Sequence, residues 1–309
     1  MADSEFDLIN RYFTGIGRGS QVLRAIGDDT AALQIPDGAV LQVSTDTSLP
    51  GVHFLADTLP EDIAYRAVAV AASDLAAVGA TPTAMLLSLT LPEADALWLS
   101  SVSQGLLVAA EEFQMPLVGG DTTRGSLSLA VTVFGYTQGL GVTRTGAQVG
   151  DRVCVSGVLG EARAGLALLS GEPALNDLGD DAIDHLTVRY TRPKPRLALG
   201  QMLLGRATAA IDLSDGLLGD AEHIATASRV QLWIDVERLP LSPACVAGWG
   251  LQQAREWGAV GGDDYELLFC LPKSEELPPG CTEIGEVREG RGVMTSLPIT
   301  GGSYDHFAE

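Results

Sequence analysis

Acidic side chains recur in this chain at one kind of place, the end of an apolar run or just after a glycine. Asp28 and Asp29 follow Gly27, Asp46 closes the apolar run 39–47, and Asp121 follows Gly119 and Gly120. Asp212 and Asp215 bracket Ser214 in the stretch 209–218, and Asp263 and Asp264 follow Gly261 and Gly262. Asp74 stands apart, inside a segment of Ala, Val and Leu on nearly every face. A carboxylate in such surroundings is expensive to bury unless it is paired or bound to a cation. Neighbouring carboxylates repel, so keeping both ionised requires water or a shared cation. Ser44, Thr45 and Thr47 add hydroxyl oxygens around Asp46. Several hard oxygen donors without an accompanying set of His and Cys point to Mg²⁺ rather than zinc.

Such sites handle phosphates, and the overall charge agrees. The formal net charge of -21 over 309 residues excludes nucleic acid or an anionic membrane as a main partner. It does not exclude a phosphorylated small molecule, provided something cationic lies between. Lysine cannot fill that role widely, since Lys194 and Lys273 are the only two and no G-x-x-x-x-G-K-[ST] loop occurs. Mg²⁺ ions would screen a polyphosphate instead. Phosphoryl transfer needs mainly positioning and charge neutralisation, and so no dedicated protein nucleophile. Arg144 is either a phosphate clamp or a surface arginine. His53, in Gly51-Val-His-Phe, could meet a phosphate, stack on a ring or simply pack within its loop.

The elements that must position these residues read as α/β. The patterning predicts a short helix over 4–12, a strand over 39–47, helices over 61–80 and 93–113, and strands over 83–91, 115–121 and 126–135, the last pairing back onto the first. A glycine-rich break at 138–150 divides the chain into domains of 1–145 and 146–309. The second half predicts a strand from 151, a helix from 161, an acidic surface loop over 175–184 and a helix reaching about 206. In the strand 209–213, residues 209, 211 and 213 share one face and Asp212 takes the other. Ser214 is then the N-cap of a helix with Asp215 in its first turn, or part of a metal site at the strand mouth. Helices over 221–228 and 244–257 and strands over 231–236 and after Glu266 complete the pattern. Cys154, Cys245, Cys270 and Cys281 lack C-x-x-C spacing and read as reduced core residues. With neither a signal-peptide core nor an apolar stretch near the roughly 20 residues of a membrane span, the expected location is the cytoplasm.

Six motifs in order carry a resemblance over essentially the whole chain. Gly27-Asp-Asp-Thr-Ala, Ser44-Thr-Asp-Thr with Gly51-Val-His-Phe, Ser73-Asp-Leu-Ala-Ala-Val-Gly-Ala, Gly119-Gly-Asp-Thr, Asp212-Leu-Ser-Asp-Gly-Leu and Gly261-Gly-Asp-Asp-Tyr-Glu-Leu resemble those of the thiamine-monophosphate kinases. That family belongs to the superfamily of aminoimidazole ribonucleotide synthetase and selenophosphate synthetase. The resemblance implies transfer of the ATP γ-phosphate directly to thiamine phosphate, giving thiamine diphosphate and ADP. A sister ATP-dependent synthetase acting on another acceptor is the alternative. Carried over by motif, Asp29, Ser44, Thr45, Asp46, Asp74, Asp121, Asp212 and Asp215 would hold Mg²⁺. No protein base is expected beside them, because the accepting phosphate is already ionised near neutral pH. Gly120, Asp121, Arg144 and Ser214 would contact ATP, and His53, Asp263 and Phe307 would meet the thiamine moiety. The family often has Glu where this chain has Asp263, one methylene shorter. The resemblance also implies two α/β domains with the nucleotide between them, the first giving strands to a barrel completed by a second subunit, hence a homodimer.

Overall fold

The structure is a computed structural model that describes residues 5–302, and it divides into two compact units, 1–75 with 80–140 and 76–79 with 141–309.

The first unit opens with one helical turn, α1 (Glu5–Leu8), which runs into a π-helical turn at Ile9–Phe13. A two-stranded ribbon follows, β1 (Val22–Arg24) with β2 (Ala32–Leu33). The main sheet is then built from β3 (Ala39–Ser48), β4 (Thr81–Leu91), β5 (Leu117–Arg124) and β6 (Ser128–Gln138), with α2 (Pro60–Ala77) and α3 (Ala96–Glu112) as connections. Its strand order is β3-β6-β4-β5, parallel only between β4 and β5. Parallel neighbours need a crossover, and α3 supplies it. Asp95 caps α3 by accepting from the N–H groups of Leu97 and Trp98. As expected, β6 pairs with β3, along its whole length. Ala64, Val68, Ala71, Ala72 and Leu75 are fully buried on α2, so small residues let this helix lie close to its neighbours.

The second unit contains β7 (Arg152–Ser156), α4 (Glu161–Leu169), α5 (Asp180–Thr191), α6 (Leu197–Leu203), β8 (Ala209–Asp212), α7 (Leu217–Ser228), β9 (Gln231–Ile234), α8 (Pro243–Val260), β10 (Leu267–Leu271), β11 (Cys281–Arg288) and β12 (Gly292–Thr295). These six strands form one sheet in the order β12-β9-β11-β7-β10-β8, parallel only at the β12–β9 edge. The alternation predicted for β8 is present. Ala209, Ile211 and Leu213 join one core with Leu217, Ala221 and Ile224 of α7, whereas Ala210 faces a separate core with Cys154 and Phe269.

Two local expectations are corrected. Residues 180–184 begin α5 rather than ending a surface loop; Asp180 and Asp181 lie in its first turn, where the helix dipole favours acids. Ser214 is not an N-cap, because α7 begins at Leu217 behind Gly216, whose φ of 108° suits glycine. The four cysteines form no disulfide. Among the described residues no helix is long and apolar enough to cross a membrane.

Candidate active site

The first unit sorts its acids onto the two faces of one sheet. Register aligns Asp46 of β3 with Val131, Leu87 and Gly120 across the sheet, and the next row aligns Thr47, Ala130, Ser88 and Asp121. Side chains of successive rows point to opposite faces. Asp46 and Ser44 therefore share the face under α2, where the Ser44 hydroxyl donates to Asp74 Oδ2. Asp46 Oδ2 is buried and has no hydrogen-bond partner. Burial first, and then the nearby Asp74 carboxylate, push the Asp46 pKa up to about 6. An orphaned oxygen beside a second carboxylate is what a divalent cation relieves, and the all-oxygen donor set suits Mg²⁺.

The opposite face carries a cavity of about 1270 Å³, whose lining includes Asp28, Asp29, Ser88, Gly119, Gly120 and Asp121 with an apolar side from Phe13, Leu86 and Phe134. Gly120 has a φ of 146°, and a Cβ there would meet the Leu87 carbonyl oxygen at 1.8 Å, so only glycine lets β5 run this close. Asp28 pairs with Arg24 at 3.1 Å and accepts the Asp29 N–H at 2.8 Å, which leaves Asp29 exposed at the rim. Thr45 lies on this face too, its hydroxyl 2.9 Å from that of Thr132. His53 is held in its loop: Nδ1 accepts the Leu49 N–H at 3.1 Å, and its carbonyl accepts from Arg66 Nε.

In the second unit Asp212 ends β8 almost fully buried, and the loop after it hangs on a residue the sequence did not single out. Asp220, in the first turn of α7, accepts the N–H groups of Ser214 at 3.1 Å and Asp215 at 3.2 Å. Burial, then Asp212 and Asp215, raise its pKa to about 8, so these carboxylates feel one another. The signal in the sequence was an acid in the apolar run that opens α7. On the same loop the Leu213 and Ser214 carbonyls accept from Tyr265 and Asp263. Arg144 is exposed, and its carbonyl accepts from the Ser228 hydroxyl.

Asp264 and Glu266 also escaped notice as anchors. Asp264 accepts the Gly160 N–H at 2.7 Å and the Ala162 N–H at 3.3 Å, and its burial pushes its pKa up to about 7. Glu266 has no exposed surface and takes Ser156 and both Arg189 and Arg196. The structure thus gathers Ser44, Asp46 and Asp74; separately Asp29, Gly120 and Asp121; and, in the second unit, Asp212, Ser214, Asp215 and Asp263. Among the described residues no group of three or more His, Cys, Asp or Glu side chains is already drawn together as a metal cluster. Phe307 lies outside the described residues.

Comparison with known proteins gives these groups a context. Residues 27–137 match the family of AIR synthase related proteins, N-terminal domain. The thiamine-monophosphate kinase of Haemophilus influenzae is 40% identical over 330 residues, covering 100% of this chain and 99% of its own. The crystal structure of thiamine-monophosphate kinase from Stenotrophomonas maltophilia superposes with a TM-score of 0.83 at 40% identity, covering 90% of this chain and 92% of the other. The structure described as AaThiL complexed with AMPPCP and TMP superposes with a TM-score of 0.81 at 36% identity, covering 92% of each chain.

Proposed function

The chain belongs to the thiamine-monophosphate kinase family, and we propose that its carboxylates work by holding Mg²⁺ around the phosphates of ATP and thiamine phosphate. The reaction is transfer of the γ-phosphate of ATP to thiamine phosphate, giving thiamine diphosphate and ADP. The observation that carries the metal reading is the buried, unpartnered Asp46 oxygen beside Asp74.

In the first unit Ser44, Thr45, Asp46 and Asp74, together with Asp29 and Asp121, hold the ions; in the second, Asp212 and Asp215 do. Bound Mg²⁺ supplies neutralisation of charge on the transferred phosphoryl group. Gly120 and Asp121 contact ATP where β5 lies against the Leu87 carbonyl, an approach that the missing Cβ of Gly120 permits. Ser214 and Arg144 contact ATP, the guanidinium matching two phosphate oxygens. His53 accepts a backbone N–H at Nδ1, so its neutral ring carries the proton on Nε2 and presents a donor to the thiamine moiety. Asp263 supplies a carboxylate to the same ligand, and Phe307 an aromatic ring. No protein base is needed, because the accepting phosphate is already ionised near neutral pH.

The same reading includes a homodimer and a cytoplasmic location. β3 is an edge strand that exposes Leu41 and Val43 on the cavity-bearing face, where Leu41 is part of the lining, a surface suited to a second copy. Light scattering of the purified chain tests this, with a monomer at working concentration as the contrary result. The activity is tested by incubating purified protein with Mg²⁺-ATP and thiamine phosphate and weighing the products by mass spectrometry. Thiamine diphosphate with equimolar ADP is expected; folded protein giving no such product overturns the reading.

A further inference from the structure

Between α8 and β10 the segment 261–266 has no regular structure, yet it contains two of the four non-glycine residues of positive φ among those described, Asp263 at 69° and Tyr265 at 50°. Each such residue costs on the order of 1–3 kcal/mol and persists only where its surroundings hold it. Here the surroundings hold both. Asp264 is tied to the N–H groups at the start of α4 and Glu266 to two guanidinium groups and Ser156. The Asp263 N–H donates to Ser214 O at 2.9 Å, the Tyr265 N–H to Leu213 O at 2.9 Å, and the Leu213 N–H to Glu266 O at 2.8 Å. A Cβ on Gly262 would meet Ser214 O at 2.5 Å, so the segment lies directly against that loop.

The even-numbered acids are therefore anchors, and the odd-numbered residues form a pair of their own: the Tyr265 hydroxyl donates to Asp263 Oδ1 at 3.1 Å. We propose that Tyr265 is a positioning residue that fixes the Asp263 carboxylate for the cationic thiamine moiety, and so sets affinity for that substrate. The proposal rests on the assignment of Asp263 as a thiamine contact. A thiazolium ring carries a permanent positive charge, and a carboxylate held in one orientation meets it without first losing rotamer freedom. Asp has one methylene less than Glu, so its reach is set by the backbone, and the strained turn with its phenol fixes both backbone and rotamer. The Tyr265 ring is 5% exposed and packs whether or not the hydroxyl is present.

Steady-state kinetics of Tyr265→Phe, Asp263→Ala and the double variant test the proposal, with each substrate varied against saturating amounts of the other. Tyr265→Phe raises KM for thiamine phosphate about tenfold, the equivalent of one hydrogen bond to a charged group, while KM for ATP moves less than about threefold. In the Asp263→Ala background the same change adds nothing. If Asp263→Ala leaves KM for thiamine phosphate unchanged, the assignment of Asp263 falls and this proposal with it. If Asp263→Ala raises that KM and Tyr265→Phe does not, the assignment stands and the proposal is overturned. A Tyr265→Phe effect that persists without Asp263, or one seen only in the unfolding midpoint, also overturns it.

Discussion

Two buried acid groups in this molecule are built on opposite terms. Under the sheet of the first unit, the Ser44 hydroxyl donates to Asp74, and Asp46 Oδ2 has no donor. In the second unit, Glu266 is more deeply buried but has two guanidinium partners and a hydroxyl, and Asp264 has two backbone N–H groups. Burial of a charge is tolerated when its lone pairs are satisfied and costly when they are not. The second group is complete as it stands and serves the architecture. The first is short of positive charge, which is the condition for receiving it from outside.

The largest test of that contrast removes a charge from the complete group. Glu266→Gln leaves Arg189 and Arg196 facing a neutral amide. Breaking a buried pair costs about 3–5 kcal/mol, and we expect the lower end because the Arg196 side chain is one third exposed. Chemical denaturation measures it. A loss under about 1 kcal/mol would show that the network is dispensable and erase the distinction.

Asp46→Asn makes the opposite change. Removal of an unsatisfied charge raises the unfolding midpoint in EDTA, yet loss of a metal oxygen lowers kcat/KM by about 100-fold or more. Stability and activity should move in opposite directions here and in the same direction at Glu266. Parallel loss of both at Asp46 would make that carboxylate structural.

How much of this contrast is legible in the sequence follows from the range of each interaction. The sheet of the first unit reads well because β3 and β6 alternate along their own length, and Asp46 is visible as an acid at the end of such a run. The start of α5 is misread because Asp180, Asp181 and Asp184 resemble a solvated loop, while the buried residues that pin the helix, Leu186 and Tyr190, come only later. The anchors of Asp264 are the N–H groups of Gly160 and Ala162, and those of Glu266 are Ser156, Arg189 and Arg196, none of them at any local spacing. Pairing across a fold leaves no periodic trace. That is why these residues pass for more of the same acidic motif until the backbone is in place.

Titration separates the groups more finely. Asp46 and Asp264 both have raised pKa values, about 6 and about 7, so the folded state binds protons more tightly than the unfolded chain. Their contributions to stability are fully present below the ordinary carboxylate range and are lost as pH rises through those values. In EDTA the unfolding midpoint should therefore fall between pH 4 and 8. Asp220, raised to about 8 by burial and by Asp212 and Asp215, adds a further loss toward pH 8. Added Mg²⁺ should recover the parts belonging to Asp46 and to Asp220, whose neighbours Asp212 and Asp215 take a cation, and leave that of Asp264. In Asp46→Asn the step near 6 disappears and the one near 7 remains. A Mg²⁺ effect of equal size at pH 5 and pH 8 would place the cation elsewhere.

The smallest expected effect is at Thr45, whose neighbours Ser44 and Asp46 point beneath the sheet while its own side chain points above it. Its hydroxyl is 2.9 Å from that of Thr132 on β6, with the Val131 carbonyl at 3.3 Å. A hydroxyl committed across the strands has little to give a metal, so any ligand role for this residue falls to its carbonyl. Thr45→Val keeps the shape and the β-branch and removes only the hydroxyl. The Mg²⁺ concentration for half-maximal activity should then shift by less than about twofold, with stability lowered by about 1 kcal/mol for the lost cross-strand bond. A tenfold shift would mean that the side chain leaves Thr132 to bind the ion, and the division of acids between the two faces would then be looser than the register implies.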